Sequence, residues 1–514
     1  MRILFVTTEV YPLVKTGGLA DVAGALSAAL AEAGEDVRLL LPAYPQAVRA
    51  LPHGHPIVTG EVLGWRIHLI EGCMPDSGIP VLLVVCPLLF ERPGNPYCSS
   101  TGCDWPDNYE RFAVLSHVAA SVAVGEWEET RRGWKGKGWQ ADVVHANDWQ
   151  TGLVPAYLKV WENACRRKGP VSVFTIHNLA FQGLFPPYVM SRIGLPLEMF
   201  SVNGLEFYGD ISYLKAGLYY SDSITTVSPT YAHEIQTEQA GKGLQGLLLA
   251  RAKTLFGILN GEDRRVWNPA TDPSIHHPFT DRQMSGKVLD KMALQRELGL
   301  RISADSPLFG VISRLTEQKG VDLVLGAVSD MMARDGQLVI LGAGDRRFEV
   351  ACLAAAERYP EKIAVRIGLD EALAHRIQAG SDVLLMPSRF EPCGLSQMYA
   401  MRYGTLPVVR RTGGLADTVV DVNDPDDQGT GFVFDAATVP AFLAVLHRVF
   451  ALYRNRAVWQ SIQSRAMRQD FSWRRSAERY RQLYRELVQK RQREGTGSAV
   501  SVLGKENQEH AATE

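Results

Sequence analysis

The sequence predicts an α/β protein built from two doubly wound parallel-sheet domains, and three observations carry the prediction. Short, continuous apolar runs alternate with amphipathic helical stretches in the first half of the chain, and the alternation restarts in the second. A chain of 514 residues is too long for one typical core. One phrase occurs twice, as Lys15-Thr16-Gly17-Gly18-Leu19-Ala20-Asp21 and as Arg411-Thr412-Gly413-Gly414-Leu415-Ala416-Asp417. In each copy a cation precedes the glycines and a helical run follows. Paired glycines at a helix start let backbone N–H groups approach a ligand, and the helix dipole favours an anion there. The repeat therefore reads as two similar halves, each aiming a helix N-terminus at a shared site. Chance with ordinary capping is the alternative, and six identical residues in a run weigh against it.

Taking the elements in order, residues 3–7 form a short buried strand, followed by a loop and a helix over 17–33 with Leu19, Val22, Leu26 and Leu30 on one face. Residues 37–41 make the next strand, closed by Pro42. Strand, helix and strand at this spacing form a βαβ unit with a right-handed crossover. Further strands are expected at 81–86, 142–145, 171–175 and 223–227, with helices around 108–124 and 152–168. Residues 254–274, which contain Asn260-Gly261, Pro269 and Pro273, read as a linker. Strands then follow at 308–312, 337–341, 363–367, 382–386 and 406–409. A helix over 473–490 ends the ordered chain, and the polar stretch 491–514 is expected to be disordered. The domains are thus residues 1–255, with helix 473–490 packing back on them, and residues 256–470. Ligands in such sheets bind at the carboxyl ends of the strands, so the cleft between the two halves is the expected site, closing on its ligand by a hinge.

Composition excludes several classes. Apolar content of 46% and charged content of 21% are ordinary for a globular protein. The net charge of −2 gives no footprint for nucleic acid or an anionic membrane. Seven cysteines include no C-x-x-C pair, so neither zinc nor a disulfide framework is suggested, and reduced thiols in the cytoplasm fit best. No apolar run approaches the roughly 20 residues that span a bilayer. The stretch 127–139 sets Trp127, Trp134 and Trp139 among Arg131, Arg132, Lys135 and Lys137. It reads as a surface insertion, with contact to a polymer as the alternative.

The candidate chemistry sits in loops after strands. Gly342-Ala343-Gly344-Asp345 invites a dinucleotide reading, but position 347 is Arg where a third glycine belongs. Arg314 and Lys319, in Ser313-Arg314-Leu315-Thr316-Glu317-Gln318-Lys319-Gly320, are placed to neutralise a diphosphate; two solvated cations are the plainer reading. In Ser388-Arg389-Phe390-Glu391-Pro392-Cys393-Gly394-Leu395, a carboxylate lies beside a loop suited to anions. That arrangement suits a sugar hydroxyl or an oxocarbenium-like centre. His177, in Thr175-Ile176-His177-Asn178, ends a strand of the first domain.

Together these segments resemble bacterial glycogen synthases and plant starch synthases, over nearly the whole chain from Met1 to about residue 487. Tyr219-Tyr220, Thr225-Thr226-Val227-Ser228-Pro229 and Gly257-Ile258-Leu259-Asn260-Gly261 belong to the same set. The resemblance implies the GT-B fold, with the last helix crossing back to the first domain. It implies transfer of glucose from ADP-glucose to the 4-hydroxyl of an α-1,4-glucan with retention, using no metal and no cofactor beyond the donor substrate. Glu391, His177, Arg314 and Lys319 are the implied catalytic residues. Lys15, Gly17, Gly18, Asp21, Tyr97, Asp148, Asn260, Cys393, Gly394, Leu395, Thr412, Gly413 and Gly414 are the implied substrate contacts. The partners implied are ADP-glucose and glycogen or another α-1,4-glucan, with neither nucleic acid nor membrane.

Several positions depart from the family pattern. Leu369 stands where a Tyr usually follows Arg366-Ile367-Gly368, which opens a UDP-glucose alternative. The usual His-Ala-His-Asp-Trp is His145-Ala146-Asn147-Asp148-Trp149, and Gln245 replaces an acid. Glu262 and Arg264 stand where Ile or Val and Thr are common. The lost His and acid motivate a third reading, a catalytically silent glucan-binding paralogue. The retained Lys15, His177, Arg314, Lys319 and Glu391 argue against it. Tyr399 occupies the position eight after Glu391 where many retaining enzymes of this fold carry a second Glu.

Overall fold

The computed structural model describes residues 1–51, 54–100, 102–126, 139–424, 426 and 428–510, with 495–510 described by their backbone alone. Residues 127–138 of the tryptophan-rich insertion lie outside the described residues. The chain forms two compact units, one of Met1–Val227, Ala232–Ile258 and Trp473–Glu514, the other of Ser228–Tyr231 and Leu259–Ser472.

The strands of the first unit are β1 (Arg2–Val6), β2 (Asp36–Pro42), β3 (His55–Val62), β4 (Trp65–Cys73), β5 (Pro80–Val85), β6 (Val143–Asn147), β7 (Val171–Ile176), β8 (Leu184–Phe185), β9 (Glu206–Phe207), β10 (Asp210–Ser212), β11 (Ser223–Thr226) and β12 (Leu255–Gly257). Nine of them make one sheet in the order β12-β11-β7-β6-β1-β2-β5-β4-β3. Only the pairings β3–β4 and β4–β5 are antiparallel, so β4 alone runs against the other strands. Ile3, Leu4, Phe5 and Val6 of β1 have no solvent exposure, as expected of a central parallel strand covered on both faces. Each such side chain contributes about 1.5–3 kcal/mol on burial.

Chain order leads from β1 to β2 on one side and returns to β6 on the other. The sheet therefore changes direction between β1 and β6, and the loops leaving those two strands lie side by side. That is where a doubly wound sheet opens a crevice for ligands.

The hairpin β3–β4 and the small antiparallel sheet β8-β10-β9 are absent from the sequence reading. β3 and β4 mix polar and apolar residues, and they are joined by Leu63 and Gly64 with φ of 51° and 78°, a tight turn lacking the usual Asn-Gly signal. Residues 255–257, expected to be linker, extend the sheet as β12 against β11.

The C-terminal helix Trp473–His510 is longer than expected. The helix was expected to stop at Lys490, and among the described residues its backbone continues to His510. Arg491-Gln492-Arg493-Glu494 prolong the helix-forming run past 490. Arg491 also clamps the helix to the first unit through Glu162 (2.5 Å) and Asp222 (2.6 Å). Further back, Arg481 pairs with Glu35 at 2.8 Å, and the Tyr484 hydroxyl lies 2.7 Å from Nδ1 of buried His145.

The second unit has a six-stranded, wholly parallel sheet of β13 (Leu308–Ile312), β14 (Gln337–Gly342), β15 (Ile363–Ile367), β16 (Val383–Met386), β17 (Leu406–Arg410) and β18 (Phe432–Phe434). Its order, β15-β14-β13-β16-β17-β18, changes direction between β13 and β16. Trp267, Phe279, Leu294, Leu308, Val339, Ile377 and Tyr403 are among the side chains of its core. Among the described residues no helix is long and apolar enough to cross a membrane, and all seven cysteines are unbridged.

Candidate active site

In the first unit the loop after β1 is organised by Glu9, which sequence reasoning passed over. Its carboxylate is buried. Oε2 accepts from the backbone N–H groups of Thr16 (2.5 Å) and Gly17 (3.1 Å), and Oε1 accepts from the Tyr97 hydroxyl. Tyr97 also lies 3.0 Å from the Thr8 hydroxyl. Burial, followed by the charge of Glu9, raises the Tyr97 phenol well above its ordinary range. The Gly17 N–H, expected to face a ligand, is therefore occupied by the protein's own carboxylate. Lys15 and Asp21 are brought together, Nζ to Oδ1 at 3.0 Å, with the Lys15 ammonium 5.5 Å from the centre of the Tyr11 ring. The available signal for Glu9 was a carboxylate directly after the first buried strand.

Asp148 follows β6 with φ of +57°, a conformation that costs a non-glycine residue of order 1–3 kcal/mol. Its Oδ1 accepts from the N–H groups of His177 (2.8 Å) and Asn178 (3.4 Å), tying the ends of β6 and β7 together. Burial pushes its carboxyl up to about 7, the two N–H groups oppose that shift, and Glu9 adds to it. Burial pushes the imidazole of His177 down to about 3, so the ring is neutral at pH 7. Its Nε2 lies 2.9 Å from Oδ1 of Asn147. His145 is also pushed down to about 3, by burial first and then by His177. It bridges Thr175 (2.5 Å) and Tyr484 and holds the C-terminal helix to the sheet.

In the second unit the change of direction sets the β13 loop against the β16 loop. Lys319 Nζ from the first lies 2.5 Å from Oε2 of Glu391 in the second. The same oxygen accepts from the Ser388 hydroxyl at 3.1 Å, and Glu391 is buried. The unexplained carboxylate beside an anion-type loop is thus balanced by a lysine. The two loops are cross-tied by the Arg389 N–H to the Gln318 carbonyl (2.8 Å) and by the Arg389 guanidinium, which pairs with Asp322 at 2.7 Å. Sequence reasoning missed Arg389 as a brace. Arg314 is exposed, with a long 3.4 Å contact to Gln318.

The second copy of the repeated phrase packs on this loop. Gly413 has φ of +43°, and a Cβ there would lie 1.9 Å from the Glu391 carbonyl oxygen. At Gly414 a Cβ would lie 2.1 Å from the Cys393 carbonyl oxygen. The Gly414 N–H donates to the carbonyls of Glu391 (3.1 Å) and Pro392 (3.2 Å). The expectation that Thr412-Gly413-Gly414 offers N–H groups to a ligand is corrected for Gly414, because close backbone packing occupies its donor. The N–H groups of Gly394 and Leu395, by contrast, have no acceptor among the described residues. Cys393 is buried, with its thiol pushed up to about 12, and accepts from the Asn260 backbone N–H. Asn260 is itself buried, and its Oδ1 has no partner among the described residues.

Tyr399 stacks on Trp267 at 4.1 Å and 6°, and Trp267 stacks on His375 at 3.7 Å and 10°. Position 399 is therefore part of a packed ring stack and supplies no second carboxylate. Leu369 is 93% exposed. Among the described residues no group of three or more His, Cys, Asp or Glu side chains is gathered as a metal site requires.

Comparison with known proteins accounts for both units. Residues 2–250 match the starch synthase catalytic domain model, and residues 299–462 match that of glycosyl transferases group 1. Proteins named glycogen synthase from Rhodospirillum rubrum and Paramagnetospirillum magneticum are 50% and 51% identical over 95% of this chain and 99% and 98% of their own. That of Francisella tularensis subsp. novicida is 46% identical over 95% of this chain and 99% of its own. The catalytic domain of starch synthase IV from Arabidopsis thaliana, solved with ADP and acarbose, superposes with a TM-score of 0.85 at 32% identity, covering 95% of this chain and 99% of that one. Sucrose-phosphate synthase from Thermosynechococcus elongatus shares the fold, with a TM-score of 0.58 at 17% identity over 95% of this chain and 98% of that one. The fold is GT-B, and the chain belongs to the glycogen synthase and starch synthase family of glycosyltransferases.

Proposed function

We propose that the protein transfers glucose from ADP-glucose to the 4-hydroxyl at the non-reducing end of an α-1,4-glucan, with retention of the α configuration. The Lys319–Glu391 pair at the carboxyl end of a parallel sheet is the observation that supports this most. In this reading Lys319 and exposed Arg314 take the donor's diphosphate and stabilise the charge that grows on it. Glu391 orients glucose hydroxyls and offsets positive charge at C1. Electrostatic stabilisation of this kind is usually the largest catalytic contribution.

The bond from C1 to the phosphate oxygen breaks, the bond from C1 to the acceptor O4 forms on the same face, and the acceptor proton passes to the departing phosphate. Tyr399, held in the ring stack, favours this front-face route over double displacement, which needs a carboxylate nucleophile. Lys15, Asp21, Tyr97 and Asp148 are assigned to the substrates, His177 to the glucose, and the unpartnered Asn260 Oδ1 to a sugar hydroxyl. Gly394 and Leu395 supply backbone donors. No cofactor is required, the donor being itself the substrate, and the reaction is assigned to the cytoplasm.

The ADP bound in the Arabidopsis relative supports the adenine nucleotide. The exposed Leu369 favours a second reading in which UDP-glucose serves equally well. Purified protein given glycogen and either donor decides between them. Release of ADP with glucan elongation, at a kcat/KM well above that with UDP-glucose, is expected. A preference for UDP-glucose rejects the first reading, and unchanged turnover on adding a chelator is expected under both.

A further inference from the structure

The relation between Asn147 and His177 carries one more step, which rests on the reading of His177 as a residue that contacts the glucose. We infer that Asn147 is a positioning residue: it fixes His177 as the Nε2–H tautomer and leaves Nδ1 as the ring's only acceptor.

The direction of the Asn147 amide follows from its other bonds. One end of the amide lies 3.0 Å from the Val6 carbonyl oxygen and 3.3 Å from the His145 carbonyl oxygen. Both of these accept only, so that end is the NH₂ group, and the opposite end, 2.9 Å from His177 Nε2, is the carbonyl oxygen. An amide oxygen cannot donate, so the proton between them belongs to Nε2. The Val6 carbonyl ends β1, and Asn147 is itself the last residue of β6. The hydrogen bonds therefore run from His177 through Asn147 into the two central strands, and flipping the amide would set its oxygen against two carbonyls and leave Nε2 facing a donor. Asn147 is buried, which makes the misoriented state costly.

The titratable groups around the ring are Asp148 from the loop after β6, His145 within β6, and Glu9, which acts on Asp148 from the loop after β1. None of them makes a described bond to the imidazole side chain. The chemical consequence is a neutral imidazole that receives a hydrogen bond from a substrate hydroxyl at Nδ1 and does not act as an acid there. An amide whose NH₂ end is held by two carbonyls cannot exchange its donor and acceptor ends.

The test is a nitrogen–proton correlation spectrum of the full-length protein labelled at histidine ring nitrogens, with His177→Gln used to assign the signal. The wild type at neutral pH is expected to show a protonated Nε2 and a bare Nδ1. In Asn147→Ala the two tautomers are expected to mix, and kcat to fall about tenfold, the worth of one such hydrogen bond, with KM for the donor changed less. A wild-type signal with the proton on Nδ1 overturns the inference whatever the variants do, as does an unmixed Nε2–H signal in Asn147→Ala. If the glucosyl-transfer reading itself fails, no turnover is seen while the tautomer is still read, so the two failures are told apart.

Discussion

Lys319 Nζ lies 2.5 Å from Glu391 Oε2 because β13 and β16 are neighbours in the sheet although two strands separate them in sequence. Breaking a buried pair leaves an uncompensated charge, at a cost of about 3–5 kcal/mol. Lys319→Ala is therefore expected to lower the denaturant midpoint of the second unit, and Glu391→Gln to lower it less, since the remaining lysine can turn toward solvent. Transfer activity in Lys319→Ala should fall by about 10²–10³-fold. Equal stability of Lys319→Ala and wild type would show that the pair is not formed in solution.

The two copies of the glycine phrase should respond differently to alanine. Nothing lies within 4 Å of a Cβ at Gly17, and its φ of −158° is ordinary extended backbone. Gly17→Ala should leave thermal stability within about 0.5 kcal/mol of wild type. Gly414→Ala drives a methyl into the Cys393 carbonyl and should destabilise the Glu391 loop by about 2 kcal/mol or more while abolishing transfer. Calorimetry on both variants checks the contrast, and equal losses would contradict it.

Acid should weaken the first unit, with a sign that can be worked out. His145 and His177 are both held near 3 when folded against about 6.5 unfolded. The folded state thus binds fewer protons, and stability present above about pH 6.5 is lost as pH falls. Each group contributes up to about 1.4 kcal/mol per pH unit. Asp148, raised to about 7, works the other way and gains stability over the same fall. The net expectation is a loss of about 1.4 kcal/mol per unit between roughly pH 6 and 4. His145→Gln should flatten that slope in unfolding curves, and an unchanged slope would remove His145 from the account.

Arg491 anchors the helix beyond its expected end. Arg491→Ala breaks its contacts with Glu162 and Asp222, and is expected to lower the stability of the first unit by about 1 kcal/mol. Protease cleavage between residues 485 and 510 should become faster. No change in cleavage would mean that the helix is held by its apolar face alone.

The parallel strands were legible because continuous apolar runs can be told from their surroundings; 308–312 and 363–367 were placed at the residues where β13 and β15 are found. Hairpin β3–β4 was not, since its half-polar strands and Leu63-Gly64 turn carry no strong local signal. Lys319 and Glu391 were both singled out, yet their contact depends on strand order, which no local pattern encodes. Glu9 and Asn147 were harder still. Each acts on backbone or side chains brought close only by the fold, and a lone carboxylate or amide in sequence does not reveal its partner.

The stack of Tyr399, Trp267 and His375 gives the second unit an optical signature of its own. Near-parallel rings with centroids 3.7–4.1 Å apart couple electronically, and Trp267 loses both neighbours as soon as its core loosens. A near-ultraviolet dichroism band absent from Trp267→Phe would let melting of this unit be followed by light alone, with the remaining tryptophans as background.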